Sequence, residues 1–477
     1  MLLDRSLVPP FLLPSSPLSS LDEYLATDTG GLGIKRAQEI GPAGTIEEVL
    51  RSGLRGRGGA GFPTGRKWGG VAAAGGTHRY LVCNAAEGEP GTFKDRALMR
   101  ANPYQLVEGV VIAGFAIGAV EAFICLKAGF GPELEAVRRA VDEFQSAGVC
   151  TDCRITVVAG PDEYLYGEEK AMLEVIEGNA PMPRILPPYE HGLFATAPQT
   201  GWTATETEPG HSAGRHESNP TLVNNAETLS NVPHILARGA DWFRAQGGTQ
   251  QSPGTLVCTV VGDVVAPDVG EVELGTPLRT VIDAVGSGLP DGRRVKAVFS
   301  GVSNPVLTGE QLDTALTYEA FQAAGSGMGA GGYIVYDDTA CMVEVTRLFS
   351  RFLAVESCGQ CPPCKLGSQA ITDRLARIEA GAGTEQDVAE IGGWLDKVTD
   401  GARCFLATEE RVLVSSMLRA FPEEFTAHLE GEACPLPRPL VFPKMLDLGG
   451  GKAVYDERHH LKQPDWTYAD MPSSAPG

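Results

Sequence analysis

Arg79-Tyr80-Leu81-Val82-Cys83-Asn84 is a short run of apolar and β-favouring side chains that opens onto Ala85-Ala86-Glu87-Gly88-Glu89-Pro90-Gly91-Thr92. It reads as a buried strand ending in a polar loop, with an apolar helix following around residues 103–120. The same alternation continues downstream. Ala122-Phe123-Ile124-Cys125-Leu126 predicts a second strand, Glu133 to Gln145 a helix, and Arg154-Ile155-Thr156-Val157-Val158 a third strand. Strands separated by helices predict an α/β fold with a mostly parallel sheet. In such sheets ligands sit at the carboxyl ends of the strands, which draws attention to the loop after Asn84.

Upstream, residues 1–45 form a proline-rich extension with a short helix over Leu32 to Ile40, and Thr45 with Glu48 reads as a capping box. Near residue 250 the pattern changes. Strands over 255–261, 270–274 and 295–299, with a helix over 277–285, predict a small α+β module spanning 250–335. Helices dominate 339–430, and the proline-rich tail 434–477 reads as extended. The segment Ala195 to Ser218 is rich in Thr, Gly, Glu and Pro and reads as an exposed loop. No repeat of solenoid period is present.

The chain has 477 residues, enough for two to four domains. Hydrophobic residues make up 43% and charged residues 21%, the balance of a soluble globular protein. A net charge of −21 argues against nucleic acid or an anionic membrane as a partner, since both would be repelled. The apolar run Gly109 to Val120 is too short to span a bilayer and reads as a buried helix. No signal-peptide stretch opens the sequence, so the 11 cysteines are expected in a reducing cytoplasm, ligating metal or filling cores.

Four of those cysteines carry the strongest chemical signal. Ser357-Cys358-Gly359-Gln360-Cys361-Pro362-Pro363-Cys364 places three thiols at i, i+3 and i+6 in a Gly/Pro turn, with Cys404 as a distant fourth. That spacing suits the corners of a cuboidal iron–sulfur cluster. Zinc, usually gripped by two separated pairs, and inert or mispaired cysteines are the two lesser readings.

The second signal is Gly53-Leu54-Arg55-Gly56-Arg57-Gly58-Gly59-Ala60-Gly61-Phe62-Pro63-Thr64-Gly65, followed by Arg66-Lys67-Trp68. A G-x-G-x-x-G pattern lies within it, but it follows a helix rather than a strand, unlike a dinucleotide fingerprint. Glycines still let backbone N–H groups close on phosphate or a planar ring, Arg55, Arg57 and Lys67 add charge, and Phe62 can stack. A flexible surface loop is the bland alternative. The loop Gly160 to Glu169 adds Tyr164, Gly167, Glu168 and Glu169, where the carboxylates could equally serve a helix N-terminus. Asn224-Asn225 read most simply as N-caps. Cys150-Thr151-Asp152-Cys153 has a redox-type spacing but little support, and Gly325 to Gly332 reads as a turn into a strand over 333–336 or a wall beside the cluster.

Together, Arg55 to Lys67, Cys83 to Gly91, Gly167-Glu168-Glu169, Asn224 to Thr228 and Glu356 to Cys364 resemble one family, from about Leu32 to Pro439. It is the NADH-binding flavoprotein subunit of respiratory complex I, with relatives in NAD-linked formate dehydrogenases and hydrogenases. The resemblance implies a Rossmann-like FMN-binding domain (46–245), a ubiquitin-like β-grasp module (250–335) and a C-terminal helical bundle (339–430) carrying one [4Fe–4S] cluster. It assigns Gly56, Gly58, Gly59, Lys67, Asn84, Tyr164, Gly167, Glu168, Asn224, Asn225 and Thr228 to FMN. Phe62, Glu87, Glu169 and Tyr189 would line the NAD(H) site, with Glu87 and Glu169 its candidate catalytic residues. Cys358, Cys361, Cys364 and Cys404 would hold the cluster.

The implied activity passes hydride electrons between NAD(H) and FMN, then singly to the cluster, because a flavin can exchange either one electron or two. With a single cluster motif in the chain, iron–sulfur partner subunits are expected to carry electrons further. The sequence departs from the family at Ala86 and Gly88 in the Asn84 loop, at Gly70, at Leu186, and in Gly160-Pro161-Asp162-Glu163 before Tyr164. Ala86, Gly70 and Leu186 motivate an alternative: a non-catalytic electron-transfer or scaffold subunit with a decayed nucleotide site.

Overall fold

The computed structural model describes residues 5–76, 78–149, 153–197, 217–431, 438 and 440–469. The proline-rich lead packs inward. Leu12 is buried, and the Glu271 carboxylate accepts the N–H groups of Phe11 and Leu12 at 3.1 and 2.9 Å. Helix α1 (Leu21–Leu25) is capped by Ser20. Beyond it, the two helices expected around residue 45 are present as the halves of α2 (Leu32–Ser52), separated by non-helical Gly41 (φ 72°, ψ 174°), so that the second begins a few residues earlier than Thr45. Pro42 takes the first turn past the bend, where a missing N–H costs nothing. Thr45 Oγ1 donates back to the Gly41 carbonyl at 2.9 Å and so does not cap the helix.

After the glycine turn and α3 (Thr64–Ala73) comes the parallel sheet: β1 (Tyr80–Asn84), β2 (Glu121–Lys127), β3 (Arg154–Gly160) and β4 (Thr221–Asn225), in the order β3-β2-β1-β4. Leu81 lies opposite both Ala122 and Leu222. The inner strands are covered on both faces, which is why they read as unbroken apolar runs rather than alternating ones. The edge strand β4 escapes a sequence reading because its apolar core is only Leu222-Val223. Helices α4 (Lys94–Ala101), α5 (Pro103–Ile117), α6 (Gly131–Ser146), α7 (Glu169–Ile176), α8 (Ala226–Arg238) and α9 (Ala240–Arg244) complete this part. Asn102 caps α5 and Gly118 (φ 68°) ends it.

A second sheet follows, with β5 (Thr255–Gly262), β6 (Asp268–Glu273), β7 (Val295–Phe299), β8 (Leu307–Thr308) and β9 (Gly332–Asp337) in the order β6-β5-β9-β7-β8. β5 and β9 are parallel, while the other pairs are antiparallel. Helix α10 (Leu278–Val285) buries Leu278, Val281, Ile282 and Val285 in a core that also holds Leu256, Val260 and Tyr333, and α11 (Tyr318–Ala323) adds Phe321. The sequence pattern reveals β5, β6, α10, β7 and β9 but not β8 or α11. Helices α12 (Met342–Glu356), α13 (Pro362–Glu379), α14 (Glu385–Leu395), α15 (Leu406–Ala420) and α16 (Pro422–Leu429) share a third core around Phe349, Phe352, Leu375, Leu413 and Met417.

The tail is not extended as expected. It folds into a hairpin, β10 (Met445–Gly449) and β11 (Lys452–Tyr455), turned by Gly450 (φ 60°) and Gly451 (φ 73°). Two consecutive left-handed residues are what a tight hairpin turn requires, and the Gly-Gly pair supplies them. The hairpin docks on the site-bearing loop: Pro443 O accepts the Gly91 N–H at 2.9 Å, and Arg96 donates to Leu446 O at 2.8 Å. Cys434 and Cys150, and residues 198–216 of the expected loop, lie outside the described residues. Among the described residues no helix is long and apolar enough to cross a membrane.

A very tight helix contact lies at Gly109 of α5, where a Cβ would stand 2.1 Å from the Leu229 carbonyl of α8. Both helices back the sheet, so there is no room for either to retreat. Gly109→Ala should cost about 1–3 kcal/mol, the usual range for overpacking, and lower the thermal midpoint measured by calorimetry.

Candidate nucleotide cavity and cysteine cage

At the carboxyl end of β1 lies a cavity of about 610 Å³, within the range of small-molecule sites. The parallel sheet supplies Asn84, Glu87, Gly88 and Glu89 from the loop after β1, and Asn225 from the end of β4. The turn before α7 adds Tyr164, Leu165, Gly167 and Glu168. The glycine turn adds Gly58, Gly59 and Ala60. The opposite wall comes from Ser303, Asn304 and Tyr318 beside the second sheet, and from Phe405, Leu406 and Glu409 at the start of α15.

Each polar side chain is set by local structure. Asn225 caps α8 by accepting the Glu227 N–H at 3.0 Å, so its bland sequence reading holds while it also faces the cavity. Asn84 donates to Gly167 O at 2.8 Å, tying two rims together. Glu87 accepts the N–H groups of Asp95 and Arg96 at the start of α4, at 3.2 and 3.1 Å. Glu168 caps α7 through the N–H groups of Lys170 and Ala171. In the glycine turn, Gly59 (φ 113°) has nothing within 4 Å of where a Cβ would stand, so its backbone is open to a ligand. Gly61 (φ 62°) is different: a Cβ there would meet the Tyr318 ring at 2.3 Å.

Other sequence-named residues do not line this cavity. Asn224 accepts the indole N–H of buried Trp68 at 2.7 Å, Thr228 Oγ1 accepts the Arg57 N–H at 2.8 Å, and Gly56 O accepts the Tyr318 hydroxyl at 2.8 Å. These three hold the turn from behind. Arg57 is buried and donates to Thr255 O, so its charge is spent on the second sheet; Arg55, by contrast, does line the cavity and lies over the Tyr318 ring. Lys67 pairs with Glu169 at 3.0 Å away from the cavity wall. Phe62 and Tyr189 are 55% and 54% exposed. The glycine-rich stretch Gly325 to Gly332 does turn into a strand, but Ser326, Gly327 and Met328 wall the nucleotide cavity rather than the cysteines.

The cavity lining is markedly acidic: among the described residues Glu87, Glu89, Asp95, Glu168 and Glu409 face one cation, Arg55. Two features relieve this. Burial, then the Asp95 charge, pushes Glu87 up to about 7, and burial pushes Glu168 up to about 7. Behind the lining, buried Lys94 pairs with Asp95 at 2.8 Å and Glu227 at 2.9 Å. Buried Lys127 stands behind Gly88, where a Cβ would lie 2.6 Å from its Nζ. Gly88 therefore makes room for a cation. Sequence reasoning misses Glu89, Lys94, Asp95, Lys127, Leu165, Tyr318 and Glu409. Only the charged run Lys94-Asp95-Arg96, directly after a strand-end loop, offers a signal.

Cys358, Cys361, Cys364 and Cys404 converge on one small cavity, together with Leu165, Pro183, Ala402, Arg403, Leu406 and Ala407. Gly359 (φ 80°) makes the tight turn, and Pro362 starts α13 directly after Cys361. All four thiols are free. Donors surround the sulfurs: the Arg403 N–H lies 3.4 Å from Cys361 Sγ, Gln360 Nε2 3.6 Å from Cys358 Sγ, and Ser357 Oγ 3.4 Å from Cys364 Sγ. Burial pushes the Cys364 thiol up to about 11 and Cys404 higher still. Thiols so placed suit metal coordination, which stabilises the thiolate that burial disfavours. Among the described residues no three His, Cys, Asp or Glu side chains close on a single-ion point.

Leu165 and Leu406 belong to both walls. Glu356, two residues before Cys358, accepts the Tyr164 N–H at 3.0 Å and is gripped by Lys462 at 2.8 and 2.9 Å and His459 at 3.2 Å. Burial alone would raise this carboxyl, but the His459 hydrogen bond and the Lys462 charge hold it well below the usual range. One ion thus links the cavity rim, the cysteine turn and the tail.

Residues 49–234 match the family described as the Nuo51 FMN-binding domain. Residues 344–428 match the NADH-ubiquinone oxidoreductase-F iron-sulfur binding region. An NADH-quinone oxidoreductase subunit of Streptomyces coelicolor is 38% identical over 427 residues, covering 87% of this chain and 89% of that one. The NADP-reducing hydrogenase subunit HndC of Solidesulfovibrio fructosivorans is 36% identical over 425 residues, covering 87% and 82%. Among solved structures, an NAD+-reducing [NiFe]-hydrogenase in the H2-reduced state superposes with a TM-score of 0.74 at 31% identity, over 93% of this chain and 69% of that one.

The acidic lining has a measurable consequence. Glu87 carries a raised folded value, so it is largely neutral below about 7 and gains charge as pH rises through that value. The affinity for an anionic nucleotide, measured by calorimetric titration, should fall across that window. Glu87→Gln should flatten the fall, because the amide stays neutral at every pH.

Proposed function

We propose, since the chain belongs to the family of NADH-binding flavoprotein subunits of complex I and related hydrogenases, that it passes electrons between NAD(H), FMN and a [4Fe–4S] cluster inside a larger redox complex. One observation carries this reading: the nucleotide cavity and the four-cysteine cage share Leu165 and Leu406 as a common wall. When bound, FMN converts a two-electron hydride into single electrons and the cluster accepts them one at a time.

The protein's own residues position and insulate. Gly58, Gly59, Asn84, Tyr164, Gly167, Glu168 and Asn225 would hold FMN, with Gly56, Asn224 and Thr228 bracing them from behind. Glu87 would orient the nicotinamide nucleotide from the cavity floor. Phe62 and Tyr189, exposed aromatics, would cover its rings from the solvent side, and the Lys67–Glu169 pair would sit beside them. Cys358, Cys361, Cys364 and Cys404 would hold the cluster, and the donors on Arg403, Gln360 and Ser357 would tune its sulfurs. Three thiols from one tight turn and a distant fourth, brought together at one cavity, favour a cluster over zinc.

The second sheet with α10 would be the β-grasp module, and α12–α16 the cluster-bearing bundle. Iron–sulfur subunits are the natural next carriers, given one cage per chain. The scaffold alternative is weakened by the cavity itself: Ala86 and Gly88 leave it open.

Anaerobic addition of NADH to the purified protein should bleach the flavin bands, with flavin and iron present in a ratio of about one to four by the cluster's composition. A cluster spectrum without flavin would overturn the reading in favour of a scaffold. Cys361→Ser should abolish the cluster absorbance while leaving NADH-dependent flavin bleaching in place, because Cys361 lines only the cage.

A further inference from the structure

On the cavity wall nearest the cage, one tyrosine hydroxyl sits between two carboxyl groups, Glu409 buried and Glu89 half-buried. Tyr164 Oη lies 2.7 Å from Glu89 Oε2 and 3.2 Å from Glu409 Oε1. A hydroxyl has one hydrogen, so it can donate to only one of them. The second contact is a hydrogen bond only if the other carboxyl brings its own proton.

The surroundings say which. Glu89 Oε1 accepts the Val302 N–H at 2.7 Å, and Gly301 (φ 76°) lets that backbone close in, since a Cβ there would stand 2.1 Å from the same oxygen. Burial raises Glu89 too, but its hydrogen bonds to Tyr164 and to the Val302 N–H act against that, so it is the better placed of the two carboxyls to hold charge. Glu409 Oε2 is buried with no partner, which suits a neutral acid and penalises an anion. The groups facing Glu409 are Glu89, Tyr164 and, at the head of α7, Glu168, and none of them is a cation. Burial and then the Glu89 charge push the Glu409 carboxyl well above the usual range, in agreement with the geometry.

We propose that Glu409 carries a proton, which it shares through Tyr164 with Glu89, and that this trio exchanges the proton with solvent as electrons enter and leave the neighbouring cage. Glu409 lies in the first turn of α15, the same turn from which Leu406 and Ala407 line the cage. An electron arriving there adds one negative charge, which strengthens the hold of Glu409 on its proton. By linkage, a lost proton must then lower the affinity of the cage for the electron. The balance is one electron and one proton gained together, the proton coming from water, and both given up together. Such an exchange matters only in the alkaline window where Glu409 would otherwise lose its proton.

The inference rests on the electron-transfer reading but has its own test. In the holoprotein, the cluster midpoint potential, followed by spin-resonance redox titration, should fall as pH rises above neutral. In Glu409→Gln, which mimics the protonated acid at every pH, the slope should shrink to what the other acids near the cage, such as Glu168, contribute. Equal slopes in the two proteins, or no slope in the wild type, would overturn the proposal. Infrared spectra at neutral pH should also show a buried carboxylic-acid band that Glu409→Gln lacks and Tyr164→Phe shifts. If Glu409→Gln does not assemble, the wild-type and Tyr164→Phe spectra decide alone, and absence of the band overturns the proposal. A failed electron-transfer reading would appear instead as missing flavin or cluster absorbance.

Discussion

Two leucines set the terms for the rest of the molecule. Leu165, in the turn before α7, and Leu406, at the start of α15, each face the nucleotide cavity on one side and the cysteine cage on the other. These two side chains are the wall that the two sites have in common. Holding the wall in place is the task of Glu356, which takes the Tyr164 N–H from one side and Lys462 from the other while its own helix leads into Cys358. A fully buried carboxylate is costly unless its oxygens are all satisfied, and here four donor contacts do so. The turn that follows the parallel sheet, the terminal helices and the tail thus meet at one electrostatic joint.

The cavity poses a second constraint. An anionic nucleotide must enter a space lined by five carboxyl groups. The chain answers in three ways: by burying some acids so that they hold their protons up to about 7, by placing Lys94 and Lys127 behind the wall, and by leaving the Gly59 backbone open. Gly88 belongs to this answer. As a departure from the family pattern it reads like a loss, yet it admits the Lys127 ammonium.

Local chemistry is legible in the sequence and long-range assembly is not. The inner strands β1 and β2 stand out because burial on both faces leaves them apolar throughout, the edge strand β3 because of its β-branched run, and the cysteine turn because few structures need thiols at that spacing. Asn225 is readable as a cap. Its facing the cavity is not, because that depends on β4, whose two apolar residues give almost no signal. The bend at Gly41 misleads, since Thr45 with Glu48 imitates a cap that Pro42 makes unnecessary. The tail looks extended from its prolines, while the Gly450-Gly451 pair turns it back on itself. Glu409 and Tyr318 come from distant parts of the chain, and only folding brings them to the Asn84 loop.

Rapid mixing with NADH under anaerobic conditions, with flavin and cluster absorbance followed together, tests the shared wall most directly. The account predicts that the cluster is reduced in step with the flavin, with no added mediator. A flavin that bleaches while the cluster stays oxidised until an external mediator is supplied would contradict it.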